Sequence, residues 1–319
     1  MVLDQNPRLI RGNELMVILE RIKNSYSYGG IREVVRKAFF LAVYTIVGRF
    51  TSFIVKNSKI EYGLNNSERK DHIVVSLTSF PKRFPYLGMC LKSLVIQKVK
   101  PDKIIVYLGS DSTPDMLTEE MKFYQNYGVE YRFDKTMNIM PHKKYFYAMQ
   151  EFENSIVVTA DDDVIYPRNW LKSLYDSYKH NPNAVSARRV HQIKFDGQGR
   201  VIPYDKWKDQ CRNIRKPSKQ LIATGNSGVL YPPKCLHIEA FDKDAITNLC
   251  LRSDDLWLKC MEIKNDTPVV WVKNWQVKPA SIDSENNSRL QDENIFTGKN
   301  DFVLRVIMEY CSITDSDFM

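Results

Sequence analysis

From His72 onward, short β-branched runs alternate with helical stretches, and this alternation constrains the fold more than any other feature of the chain. His72-Ile73-Val74-Val75-Ser76-Leu77, Lys103-Ile104-Ile105-Val106-Tyr107-Leu108, Val129-Glu130-Tyr131-Arg132-Phe133 and Ile156-Val157-Val158-Thr159-Ala160 each have the length and residue types of a strand. Helical patterns are expected at about 85–98, 115–127, 142–152 and 168–180, with a further strand at about 184–190. Strands separated by helices build β-α-β units. The expected fold is therefore α/β, a mostly parallel, Rossmann-like sheet flanked by helices and preceded by an N-terminal helical segment.

In an open parallel sheet, ligands sit beyond the carboxyl ends of the strands. Thr78 to Arg83, Gly109 to Asp111 and Asp161 to Asp163 all fall at such ends, so three loops converge on one crevice. Thr78, Phe80, Arg83 and Asp111 thereby become candidates for the binding site. No G-x-G-x-x-G follows the first strand and no G-x-x-x-x-G-K-[ST] occurs, so neither a dinucleotide fingerprint nor a P-loop is supported. Phosphates would have to be held by a metal and by cations.

Asp161-Asp162-Asp163 supplies the place for that metal. One Asp would suffice to cap the helix that Tyr166-Pro167-Arg168-Asn169-Trp170 introduces, whereas three leaving a buried strand repel one another unless a positive charge neutralises them. Oxygen ligands suit Mg²⁺ or Mn²⁺, whose open positions substrate phosphates fill, and a nucleotide diphosphate is the implied ligand. His142, Lys143 and Lys144, which open the preceding helix, join Arg83 as candidates to contact the diphosphate.

Two later segments suit the other substrate. Thr224-Gly225-Asn226-Ser227-Gly228 combines glycines that allow close backbone approach with polar side chains for a sugar, although an ordinary tight turn has the same form. Ser253-Asp254-Asp255 begins a helix running to about Lys264; capping accounts for one acid, and a second is what an attacking hydroxyl needs as its base. Trp257 and Trp207 could stack on sugar faces, though Trp is more often core. The polar stretch from Lys194 to Lys219 is long enough to be a lid or an acceptor contact.

Residues 1–60 hold ten Lys or Arg against four Asp or Glu, so +6 of the net charge of +8 lies there. No basic recognition motif lies on the folded domain, which argues against nucleic acid. The cations surround Ala38 to Gly48, an apolar run too short to span a bilayer, which needs about 20 residues. Residues 30–60 thus have two open readings: a helix in a membrane interface, or a core or dimer helix that would make an oligomer. Tyr26 to Gly30 looks like a hinge after an amphipathic helix at about 12–24. The domain expectation is a basic, apolar helical segment over 1–70 and a catalytic domain over 71–319. Six scattered cysteines without a C-x-x-C pair, and no signal peptide, fit a reducing cytoplasmic setting, at the inner face of the cell membrane if the segment docks there.

These residues resemble the GT-A glycosyltransferase superfamily, in particular bacterial family-two-like enzymes of capsule or lipopolysaccharide synthesis, over about residues 72–275. Val75 to Arg83 looks like the family's first strand, Thr-containing turn and Arg, which contact nucleobase and ribose. Asp161-Asp162-Asp163 is similar to its D-x-D element, and Ser253-Asp254-Asp255 to its E-D element. The resemblance implies that Asp161 and Asp163 hold the metal, that Thr78, Phe80, Arg83, Asp111, Lys143, Asp161 and Asp162 bind the donor, and that Gly225, Asn226, Ser227 and Trp257 meet the acceptor. Asp255 would be the catalytic base and Asp254 the acid that positions the acceptor. The run Tyr107-Leu108-Gly109-Ser110 departs from the family's D-D-G-S, with Asp111 displaced, and no late histidine follows His237; water, Asp292 or Asp301 could take its place as a ligand.

The implied reaction moves a sugar, with inversion, from a nucleotide-sugar donor, a UDP-sugar first, to a hydroxyl of a glycan or lipid-linked glycan. Two other classes compete. A sugar-nucleotide nucleotidyltransferase would want a Gly-rich basic loop after the first strand, which Ser79-Phe80-Pro81 does not supply. A membrane-docked glycan-binding scaffold would use the aspartates as a calcium-type structural site.

Overall fold

The computed structural model describes residues 30–134 except positions 33, 36, 37, 40, 41 and 44, together with 138–273, 280–281 and 299–319. The helix expected at 12–24, most of the Tyr26–Gly30 hinge and Asp292 lie outside the described residues.

Among the described residues seven strands form one sheet in the order β10 (Val269–Trp271), β6 (Val185–Ala187), β9 (Val229–Tyr231), β4 (Ile156–Asp161), β1 (Ile73–Ser79), β2 (Lys103–Leu108), β3 (Val129–Phe133), and β5 (Val164–Ile165) pairs with Ala280–Ser281 outside it. β1, β2, β3 and β4 are mutually parallel. β9 runs antiparallel to β4 and to β6, and β10 is parallel to β6. The expected strand at 184–190 divides: after β6 the chain leaves the sheet and β7 (Val190–Gln192) pairs with β8 (Leu221–Ala223) in a separate ribbon.

Residue alternation along the central strands supplies both faces. Ile73, Val75 and Leu77 of β1, with Ile156, Val158 and Ala160 of β4, pack on α2 (Leu87–Val95), α3 (Glu119–Gln125) and α5 (Trp170–His180). Val74 and Val157 point the other way, to α4 (Lys143–Glu151). A second large core joins α4, the β6–β9 region, α7 (Asp254–Lys264) and α8 (Lys299–Tyr310). Between them α6 (Lys243–Ala245) runs into a π-helical turn at Ile246–Cys250.

The stretch from Lys194 to Lys219 is not a free lid. Ile193, Val201, Trp207 and Cys211 belong to the second core, Phe195 bridges Val201, and the Trp207 indole donates to the Ile202 carbonyl at 2.8 Å. Its polar residues are punctuated by apolar ones that anchor it, so the expectation of a lid is corrected. Upstream, the described residues from 30 to 57 are helical (α1); near its end Val55 is fully buried against the α2 side of the sheet.

Candidate active site

The register places the expected loops together. Thr78 lies opposite Asp161 on one side and Tyr107 on the other, so β1, β2 and β4 end at the same level. Asp161 is the last residue of β4, and its N–H donates to the buried Tyr166 hydroxyl at 2.8 Å, which fixes the direction in which the aspartates leave the sheet.

The three aspartates then divide. Asp162 turns inward, 7% exposed, accepting from Ser79 Oγ at 2.6 Å and forming an ion pair with Arg83. Burial pushes its carboxyl up, and despite the opposing pull of Arg83 it rests at about 6. Asp162 thereby ties the β1 turn to the β4 turn. Asp161 and Asp163 keep 26% and 29% of their side chains exposed. Asp163 sits 3.2 Å from Arg83, and burial together with the charge of Asp161 raises its carboxyl above the usual range. Among the described residues no three His, Cys, Asp or Glu side chains converge as a metal cage. Two part-open, mutually repelling carboxylates do fit Mg²⁺ or Mn²⁺, which bind through one or two protein carboxylates plus substrate phosphates.

Of the two lysines opening α4, Lys144 is the one that enters the site. Its buried Nζ lies 3.0 Å from Asp161 Oδ1 and 2.9 Å from Asp254 Oδ2, joining carboxylates from β4 and α7 that are far apart in sequence. Burial alone would lower its pKa, yet the charges of Asp161, Asp254 and Asp255 hold it well above the ordinary lysine value. Lys143 points elsewhere. Its Nζ donates to Asn138 Oδ1 at 2.8 Å, and it lies on the Gly109 and Asp111 side of the crevice rather than against the aspartates.

Asp254 and Asp255 open α7 and behave oppositely. Burial works to raise Asp254, but Lys144 and His142 outweigh it and hold its carboxyl below the usual range. Burial and the neighbouring Asp254 push Asp255 up to about 7, against the pull of Lys144. Asp255 Oδ1 accepts from the Gly225 N–H at 3.1 Å. A Cβ on Gly225 would stand 2.7 Å from Lys144 Nζ, 3.5 Å from Asp255 Oδ1 and 3.7 Å from Asp161 Oδ1, so the glycine loop, the acid pair and the aspartate run share one small space. Two carboxyls whose environments drive their pKa values apart mark an acid–base site.

Beside this cluster, Gly225–Ser227 is a single 3-10 turn whose Ser227 Oγ is buried and has no hydrogen-bond partner, while Asn226 stays half-buried. Gly228 closes the turn at φ +89°, and a Cβ there would strike the Trp170 indole. On the other side, Phe80 is 41% exposed with the Arg83 guanidinium 5.4 Å from its ring centre, the Thr78 hydroxyl donates to the Tyr107 carbonyl at 2.8 Å, and Asp111 is exposed.

Four expectations are corrected. Trp257 is fully buried, its indole donating to the Ala240 carbonyl at 3.2 Å, and Trp207 is likewise core, so neither meets an acceptor here. His142 is a core histidine between the Tyr145 hydroxyl and the Cys250 carbonyl, both at 3.0 Å. Asp301 accepts from the Tyr204 N–H at 2.7 Å and, among the described residues, forms no metal-holding group with Asp161 and Asp163. Conversely, a Ser in the first-strand turn (Ser79) and a Tyr five residues past Asp161 (Tyr166) carry no local motif, and only the packed loops reveal their roles.

No curated protein matches the chain in sequence. Solved structures share the fold only loosely, among them the following three. A mannosyltransferase, PcManGT from Pyrobaculum calidifontis in complex with GDP-Man and Mn²⁺, has 10% identity and a TM-score of 0.46, covering 87% of this chain and 81% of that one. TarS 1-349 from S. aureus in complex with UDP has 18% identity and a TM-score of 0.41, covering 63% and 58%. A 4-diphosphocytidyl-2C-methyl-D-erythritol synthase has 11% identity and a TM-score of 0.39, covering 75% and 100%. Superpositions this loose carry no functional argument. Residues 77–233, which run from the end of β1 through the aspartate run and the glycine turn, match the family model "Glycosyl transferase family 2". Over residues 77–233 the chain is thus similar to family 2 glycosyl transferases, on a mostly parallel, Rossmann-like α/β sheet.

Proposed function

We propose that the protein transfers a sugar, with inversion, from a nucleoside diphosphate donor to a hydroxyl of a glycan, using a divalent metal. The observation that carries this reading is the Lys144 cluster, where one buried ammonium joins Asp161 at the end of β4 to Asp254 at the start of α7. That junction puts a phosphate-side carboxylate beside a carboxyl poised at about 7.

In the proposed reaction the acceptor oxygen attacks the anomeric carbon from the face opposite the diphosphate. The new C–O bond forms as the bond to the diphosphate breaks, the leaving oxygen keeps the electron pair, and Asp255 takes the hydroxyl proton. Mg²⁺ or Mn²⁺ held by Asp161 and Asp163 would supply charge for the departing diphosphate. Asp254, tied to Lys144, orients the start of α7, and the Gly225 N–H holds Asp255 by one oxygen, leaving the other for the acceptor. Phe80, Thr78 and Asp111 line the nucleoside side, with UDP the first nucleotide to try; half-buried Asn226 faces the acceptor side.

Calorimetric titration of UDP and of GDP, with and without Mn²⁺, into wild type and Asp163→Ala tests the donor half. Metal-dependent binding of one nucleotide, lost in the variant, is expected. Metal-independent binding of equal strength in both proteins would overturn the assignment of Asp163.

A further inference from the structure

α1 carries a long apolar stripe on its exposed side. Ile31, Val35, Ile46, Phe50 and Phe53 are each between 60% and 68% exposed. Ile31, Ala42 and Phe53 recur at intervals of eleven residues, as do Val35 and Ile46. At about 100° per residue these positions fall within one arc of roughly a quarter turn, extending about 33 Å along the axis. Their exposed apolar area is on the order of 500 Å², the upper end of what a monomeric surface normally leaves in water.

The other side of the helix is already in use. Thr51 and Val55, roughly opposite the stripe, are buried, and Lys92 Nζ donates to the Lys56 carbonyl at 2.6 Å, so the end of α1 is fastened to α2 with the stripe outward. Arg49 and Arg32, both exposed, lie at the two edges of the arc. Cations bordering an apolar face, inside the segment that holds +6 of the chain's +8, complement an anionic lipid surface, where the apolar side chains enter the acyl boundary and the guanidinium groups meet the head groups.

Among the described residues no helix is long and apolar enough to cross a membrane, so contact would be in the plane.

We infer that the exposed stripe of residues 31–53 docks the enzyme on an anionic lipid surface, lying flat with Arg32 and Arg49 at its borders. This inference is independent of the donor and metal, and its test uses no transfer reaction.

The full chain is sedimented with vesicles of phosphatidylcholine alone or with about one-third phosphatidylserine, beside the variants Ile46→Glu/Phe50→Glu and Arg32→Gln/Arg49→Gln. Wild type is expected to bind the anionic vesicles at least tenfold more tightly than the neutral ones, the glutamate pair to lose binding at least tenfold, and the glutamine pair to lose it several-fold. Thermal melting of each variant shows whether the fold is intact. Wild type remaining in the supernatant, or binding that survives the glutamate pair in a folded protein, overturns the proposal. A dimer by light scattering, without vesicle binding, that the glutamate pair makes monomeric would assign the stripe to a second copy instead.

Discussion

Replacing Lys144 by Met keeps most of the side-chain volume and removes the charge that three carboxyls share. The ammonium lies 3.0 Å from Asp161 and 2.9 Å from Asp254, with only 7% of the side chain exposed, and it also restrains Asp255. Removing one partner of a buried ion pair typically costs about 3–5 kcal/mol, because the remaining charge is left without compensation. At roughly 2 °C per kcal/mol for a domain of this size, Lys144→Met should melt about 6–10 °C below wild type near neutral pH. The pH dependence is more specific than the magnitude. Without the cation, Asp254 and its neighbours bind protons more tightly when folded than when unfolded. Stability from such groups is present at low pH and is lost as pH rises through their folded-state pKa values. The difference in Tm between variant and wild type should therefore widen from pH 5.5 to pH 8.5, measured by calorimetry or circular dichroism. A gap below about 2 °C at both pH values, or one that narrows as pH rises, would refute the argument that Lys144 neutralises this cluster.

If Asp255 is the base, Asp255→Asn should lower kcat for transfer by about 10²–10⁴-fold while donor affinity stays within about threefold in calorimetry. In wild type, kcat/KM should fall as pH drops through about 7, where Asp255, facing Asp254, Lys144, Asp161 and the Gly225 N–H, takes up its proton; the Asn variant should lack this acidic limb. Gly228→Ala combines left-handed strain of roughly 1–2 kcal/mol with overpacking of roughly 1–3 kcal/mol against Trp170, and should show a lowered Tm. Trp257→Phe should lower Tm and leave the KM for any acceptor unchanged; a rise in KM with an intact fold would restore Trp257 to the acceptor surface.

The sheet and the level at which its loops emerge follow from local residue pattern alone. β2 and β3 fall on the expected residues, and β1 and β4 differ only at their ends, because apolar β-branched runs bounded by turns have no other stable burial than a parallel strand covered on both faces. The aspartate run and the Asp254–Asp255 pair were visible as unusual local densities of charge. Side-chain direction was not. Lys143 and Lys144 differ by about 100° of helix, and nothing local says which one looks toward the carboxylates. Trp257 sits one turn into α7, and its aromatic character suits a sugar and a core equally well until the neighbours are in place. The division of labour among Asp161, Asp162 and Asp163 likewise awaited Ser79, Arg83 and Lys144, which come from other loops and claim particular carboxyls. Periodicity and charge density are properties of neighbours in sequence, whereas the pairing of a charge with its partner and the shift of a pKa arise from groups that only the folded chain brings within a few ångströms.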